Sequence, residues 1–412
     1  MNFQSVAFPD DICFEVFKYS EQKHMLANFL VCQQWFRIGM TRYSFSIKLN
    51  QTSQQLNKWW KRLVSDKIDH KWGFTGSSIK KLKFSHLTIK STDFMKIYSN
   101  MKNLKSLSMK KCRIEKKDFV YLMKIKQLES LNIIPHFSNI TNEEICKICT
   151  NLTNLKDFGI SGMSLQYKTL QYITNMKSLT SLDISNTELY EEYLQEIGKM
   201  THLTSLNIGD NGTIPLQYIK SLAGLKSLNI NGRFINNGFY ELRELKDLHS
   251  LTELSVSHNT IKTKGLKYLI DTFPDLTSLD ISYNGLGSIK KIRKLKHLTK
   301  LDISNNSISD QDLIYITCLP QLTKLNISSN QITDNGALLF ASMESLRNID
   351  VRFNDITNDK VFQGMINLEK LKFKSFSLEP SSRKNKDGQA CLSILFTLFI
   401  SLITMYFMYF KR

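Results

Sequence analysis

The sequence predicts an α/β solenoid, one short strand per repeat in a parallel sheet, with a small helical domain before it and a membrane-spanning helix after it. Three observations predict this. The apolar phrase L-x-x-L-x-I-x-x-N-x-I recurs, in strict or looser form, thirteen times between residues 79 and 378. Apolar residues ahead of it fall at helical spacing. Behind it, residues 390–410 run for 21 positions without a charge.

The amino-terminal element, residues 1–42, opens with Phe8, Pro9, Asp10 and Asp11. A proline and two acids make a good first helical turn, because the missing amide is not needed there and carboxylates favour the positive end of the helix. Ile12, Val16 and Tyr19 follow at i, i+4 and i+7, then Met25, Leu26 and Phe29, and last Val31, Cys32 and Trp35. This order resembles an F-box. The resemblance implies a three-helix domain that binds the Skp-type adaptor of a cullin–RING ubiquitin ligase, with Pro9, Ile12, Val16, Leu26, Val31 and Trp35 forming or supporting the adaptor-facing surface. The competing reading is a helical cap that shields the first repeat and binds nothing.

Residues 43–78 read as a basic linker and cap. Tyr43, Phe45, Ile47 and Leu49 alternate as a strand does, and Leu56, Trp59, Trp60 and Leu63 make one face of a helix that also carries Lys58, Lys61 and Arg62. Aromatics among bases are also the pattern of a single-strand nucleic-acid platform; the helical spacing more simply makes the aromatics core.

The repeats occupy residues 79–378. The phrase stands plainly from Leu298 to Ile308 and recurs from Leu251, Leu276, Leu322 and Leu346. Looser copies start at Ile79, Leu104, Leu128, Leu155, Leu179, Leu203, Leu225 and Leu368, and the starts lie 22 to 27 residues apart. One such unit cannot bury its own apolar side chains, but a stack of them makes a continuous core. The array resembles the leucine-rich repeat family, which implies a horseshoe with strands on its concave side. It also implies a ladder of buried asparagines at the ninth position, here Asn211, Asn259, Asn284, Asn306, Asn330 and Asn354. Cys112, His136, Met163 and Thr187 hold that slot in earlier repeats. Capping phrases at Thr141, Ser309, Thr333 and Thr357 point to short helices on the convex side.

Residues 379–389 read as a polar linker, and residues 390–410 as a transmembrane helix. Twenty-one helical residues reach about 31 Å, the thickness of a hydrocarbon core. A capping helix packed on the repeats would show a polar face, and this segment is apolar all round. With no basic, apolar leader at the amino terminus, the expected arrangement is a tail anchor with the repeats facing the cytosol.

Composition limits the function. The hydrophobic share of 42% excludes wholesale disorder, and seven cysteines, an odd number, fit a reducing compartment better than a disulfide scaffold. The net charge of +18 is confined to two stretches: residues 48–113 carry an excess of thirteen bases and residues 369–412 an excess of five. Nucleic acid would explain such charge, but lysines greatly outnumber arginines, which speaks against base and phosphate recognition by planar forks. No nucleophile–histidine pair, phosphate loop or dinucleotide motif is present, so no catalytic residue, metal or cofactor is assigned. Cys146 and Cys149 have the spacing of half a zinc site but lack a second pair, and Ile145 and Ile148 place them in an apolar helix.

On the concave face the outward strand positions are small and polar in the middle and basic at the ends (Lys81, Lys83, Lys110 and Lys111; Lys370, Lys372 and Lys374). Asp183, Asp280, Asp302 and Asp350 should lie in a row facing a protein partner, unless they are simply generic polar residues. The expected function is a non-catalytic substrate receptor of an SCF-type ubiquitin ligase, tethered to a membrane, its box on the adaptor and its repeats on a protein substrate. The alternative is a membrane-anchored interaction scaffold without a ligase role.

Overall fold

The computed structural model describes residues 45–49, 79–135, 140–213, 215–232, 239–373 and 376–378. The chain divides into two units, Met1–Arg233 and Phe234–Arg412. The residues assigned to an F-box (1–42), the helix expected within 43–78, the linker at 379–389 and the apolar segment at 390–410 lie outside the described residues.

In the first unit the strands are β1 (Phe45–Leu49), β2 (Ile79–Ser85), β3 (Thr88–Ile89), β4 (Ser106–Ile114), β5 (Ser130–Pro135), β6 (Asp157–Gly159), β7 (Ser181–Asp183), β8 (Ser205–Asn207) and β9 (Ser227–Asn229). All pair in parallel: β1 adds to β2, β3 pairs with β4, and the rest follow chain order. The phrase leucines stay in register, Leu82 beside Leu107, Leu107 beside Leu131, and Leu182 beside Leu206.

The second unit repeats the scheme with β10 (Glu253–Ser255), β11 (Ser278–Asp280), β12 (Lys300–Asp302), β13 (Lys324–Asn326), β14 (Asn348–Asp350) and β15 (Lys370–Phe373), all parallel. An antiparallel strand, β16 (Phe376–Leu378), folds back on β15. The alternation within each strand puts Leu279, Leu301, Leu325 and Ile349 in the core, all 3% exposed or less, and leaves their neighbours on the open face.

Repeat length decides what forms on the other side. The 22-residue repeats starting at Leu203, Leu276 and Leu346 cross back through 3-10 turns at Leu216–Ile219, Lys290–Lys294 and Asp359–Phe362. Repeats of 25 to 27 residues have room for the helices Ser91–Asn100, Asn142–Asn151 and Lys262–Thr272. A 3-10 turn rises about 2.0 Å per residue against about 1.5 Å for an α-helix, so fewer residues span the same layer. Capping follows the side chains: the amide of Thr141 donates to Glu144 and that of Ser309 to Asp312. In the repeat starting at Leu346, Asn358, not Thr357, is the cap, its side chain accepting from the Lys360 amide, while Thr357 bonds to Asp334.

The expectation of membrane tethering is corrected here. Among the described residues no helix is long and apolar enough to cross a membrane. The longest, Lys262–Thr272, has 11 residues, about 16 Å of rise against a hydrocarbon core of about 30 Å. The cytosol-facing membrane location built on a spanning helix is withdrawn with it.

Candidate functional site: the open face of the second unit

Two polar ladders hold the repeats edge to edge and so position the open face. In the first, an asparagine follows each of the strands β8 and β10 to β14. The amide of Asn330 donates to the carbonyls of Ile303 in the preceding repeat and of Ile327 and Ser328 in its own, at 3.1, 3.0 and 3.2 Å. Its carbonyl accepts from the backbone amides of Asn306 and Ile308, at 3.2 and 3.1 Å. Asn211, Asn284 and Asn306 bond in the same way to the repeats before them. Asn354 reaches Ile327 and Ile332, and Asn259 donates to the carbonyl of Ser257. In the second ladder the hydroxyls of Thr204, Thr277, Thr299 and Thr323 each donate to the carbonyl of the corresponding threonine one repeat earlier.

Where the asparagine is missing the bend weakens. Cys112 makes one Sγ contact of 3.5 Å to the Lys110 carbonyl, and β4 runs on for nine residues where the strands from β6 onward have three or four. Thr187 replaces the asparagine more closely, its hydroxyl donating to the Ile184 carbonyl. Cys146 and Cys149 lie in the Asn142–Asn151 helix. Burial, then the neighbouring Cys146, pushes the Cys149 thiol up to about 12. Among the described residues no group of three His, Cys, Asp or Glu side chains is placed to hold a metal.

On the open face of the second unit a groove of about 370 Å³ runs across β11 to β15. Strand register places two outward rows side by side. One is Ser278, Lys300, Lys324, Asn348 and Lys370; the other is Asp280, Asp302, Asn326, Asp350 and Lys372. Neighbours within a row are about 4.8 Å apart, and the rows lie about 7 Å from each other along the strands. Asp280 and Asp302 are therefore adjacent, Asn326 separates Asp302 from Asp350, and Asp183 belongs to the first unit. There the corresponding row is Ser106, Ser130, Asp157, Ser181, Ser205 and Ser227, partly closed by bonds of Ser130 and Ser181 to Asp157.

The aspartates have structural duties. One oxygen of Asp183, Asp280 and Asp302 accepts from both the amide and the hydroxyl of the serine two residues on, which tightens the bend after the strand. The other oxygen of Asp280 accepts from Ser255, and that of Asp302 from Asn326 at 2.7 Å. Burial, the largest influence, raises the Asp302 carboxyl above its ordinary range, and Asp280 adds to the rise, against the serine and asparagine bonds. Asp350 goes the other way. Burial pushes it up, but the Arg352 fork (2.9 and 2.7 Å) and Lys372 (3.0 Å) together outweigh burial and hold it low.

A raised carboxyl adds stability below the ordinary carboxylate range and loses it as pH rises through the raised value. At neutral pH the charge on Asp302 is thus a cost. Asp302→Asn is expected to raise the unfolding midpoint at pH 7, since Asn326 and Asn207 fill the same slot. The gain should shrink as pH falls towards about 4, which thermal melts across that range would check.

The lysines Lys300 and Lys324, the fork of Arg352 and two aromatics escape the sequence reading, although the lysines and the aromatics fall on the repeat period. Tyr283 and Phe353 each stand one residue before a ladder asparagine, at positive φ (53° and 57°), and are 47% and 68% exposed. Tyr283 stacks on His258 with ring centroids 3.9 Å apart. The same slot has positive φ at His258, Asn305 and Ser329, so the repeat imposes that backbone conformation whatever the side chain.

A model of the leucine-rich repeat region matches residues 138–383, more than half of the chain. No curated protein matches. Among solved structures, Rad7 in the yeast Rad7–Elc1 complex is 19% identical, with a TM-score of 0.58 over 86% of this chain and 96% of its own. An internalin of Listeria monocytogenes is 21% identical (TM-score 0.44, covering 74% and 88%), and a Leptospira interrogans leucine-rich repeat protein 18% (TM-score 0.42, covering 81% and 97%). With its parallel strands, its asparagine ladder and the matched region, this chain belongs to the leucine-rich repeat family.

Proposed function

We propose that the chain is the non-catalytic substrate-recognition subunit of an SCF-type ubiquitin ligase: residues 1–42 dock a Skp-type adaptor and the open face of the repeats holds a protein substrate. The observation that carries the reading is order along the chain. Pro9, Ile12, Val16, Leu26, Val31 and Trp35 stand directly before a repeat array whose second unit keeps a polar groove open. Rad7, which shares the fold, was captured in complex with Elc1, so an array of this build has been seen with a second protein attached. Such a subunit performs no chemistry; it raises the concentration of one protein beside a ligase held on the other.

The test is retention of a purified Skp-type adaptor by the full-length chain. Binding comparable to that of an established F-box is expected, with Trp35→Ala weakening it about tenfold or more, the usual effect of removing a buried aromatic anchor. Failure of the unaltered chain to retain the adaptor ends the ligase reading and leaves a protein-interaction scaffold.

A further inference from the structure

We propose that the groove of the second unit takes an acidic segment of a partner protein, and that its paired rows of opposite charge fix which way round the segment lies. The inference rests on the open face being the protein-binding site.

Lys300, Lys324 and Lys370 are exposed, and among the described residues none is in an ion pair. The bases nearest them on the same face, Lys372 and Arg352, are already committed to Asp350. The three open charges form a line with steps of one strand and then two, about 5 and about 10 Å. A line of separate ammonium groups suits a line of separate carboxylates. A single phosphate would call for converging donors, above all a free guanidinium, and Arg352 is held by both oxygens of Asp350.

Beside the lysines, Asp280 and Asp302 form the parallel acidic row, their oxygens accepting hydrogen bonds from Ser255, Ser282, Ser304 and Asn326. An acidic segment shifted or turned by one row would set carboxylate against carboxylate in a half-buried groove, where repulsion is weakly screened. Beyond the acids, at the ends of the strands, Tyr283 and Phe353 offer exposed rings of the kind that anchor interfaces. The segment that fits therefore carries acids along one flank and an apolar side chain along the other.

The probe is a fluorescein-labelled synthetic 12-residue peptide with glutamates at alternate positions and a central leucine, titrated against the full chain by anisotropy. The triple variant Lys300→Ala, Lys324→Ala, Lys370→Ala is expected to weaken binding about tenfold, and Asp280→Asn with Asp302→Asn to strengthen it about two- to threefold. Lys102→Ala with Lys124→Ala and Lys126→Ala, bases of the first unit, should leave it unchanged. No binding by the unaltered chain, an equal loss in that control, no gain in the aspartate variant, or tighter binding of a peptide with one phosphoserine and no glutamates would each overturn the proposal. Benzoylphenylalanine in place of Asn348 separates it from the reading beneath. A protein adduct that survives the triple lysine change retains the groove as a protein site and sinks the acidic segment; no adduct at all sinks both.

Discussion

Asn330→Ala should lower the unfolding free energy by about 3–4 kcal/mol, seen as a lower midpoint in urea. The side chain is 9% exposed and takes part in five hydrogen bonds, three given to carbonyls and two taken from backbone amides of the preceding repeat. Alanine leaves all five backbone groups without that partner in a space too confined for free hydration, and each such group costs about 1–3 kcal/mol before relaxation. Neighbouring carbonyls and an entering water recover part of the loss, which keeps the total well below the sum. Asn330→Asp sharpens the test. It keeps an acceptor for Asn306 and Ile308 but turns a charged oxygen on three carbonyls, so it should destabilise at least as much at pH 7. It should regain some stability at acid pH, where the protonated carboxyl again donates. A cost below about 1 kcal/mol for alanine would mean that apolar packing alone holds the array.

Gly198→Ala is expected to be the most damaging single-methyl change, at about 3 kcal/mol, the upper part of the range for overpacked interiors. Gly198 ends the Glu191–Ile197 helix in ordinary right-handed geometry (φ −59°), so the substitution creates no backbone strain. Helix propensity by itself would favour alanine by nearly ~1 kcal/mol. The added Cβ, however, would fall inside contact distance of the Tyr218 carbonyl oxygen in the next repeat. That oxygen belongs to a 3-10 turn and cannot swing aside as a side chain end can. Gly224 provides the comparison: its nearest neighbours, the carbonyls of Leu203 and Thr201, stand at an ordinary 3.7 Å. Gly224→Ala should therefore be neutral or slightly stabilising in the same thermal melt.

The contrast between these positions shows what the sequence can disclose. Strands and inward leucines were legible because a two-residue alternation repeated every 22 to 27 residues admits one placement: Leu301 and Ile303 go in, Asp302 goes out. The asparagine slot was legible because its spacing from the leucines is constant. Gly198 was not, since nothing local says which backbone atom a neighbouring repeat will bring up to it. The charged face was half legible. The aspartates stood out by their period, and their bonds to the serines two residues on reveal that much of their acceptor capacity serves the bends. Lys300 and Lys324 have the same period, yet in sequence they look like the generic solvated bases of a lysine-rich chain. Only register sets them beside Lys370 in one row. The uncharged run of residues 390–410 pointed to a spanning helix, and no described helix has that reach.

The ladders also say which changes such a chain can accept over generations. Asn284, Asn306 and Asn330 each satisfy a carbonyl and two amides of the repeat before them, so these consecutive repeats present the same donors and acceptors to each other. Excising or duplicating one whole unit of this stretch would leave junctions chemically equivalent to those that remain. Altering one carboxamide breaks five bonds at once. In this molecule the cheap mutation is therefore the large one, and growth or shrinkage by entire repeats is a gentler path than editing within them.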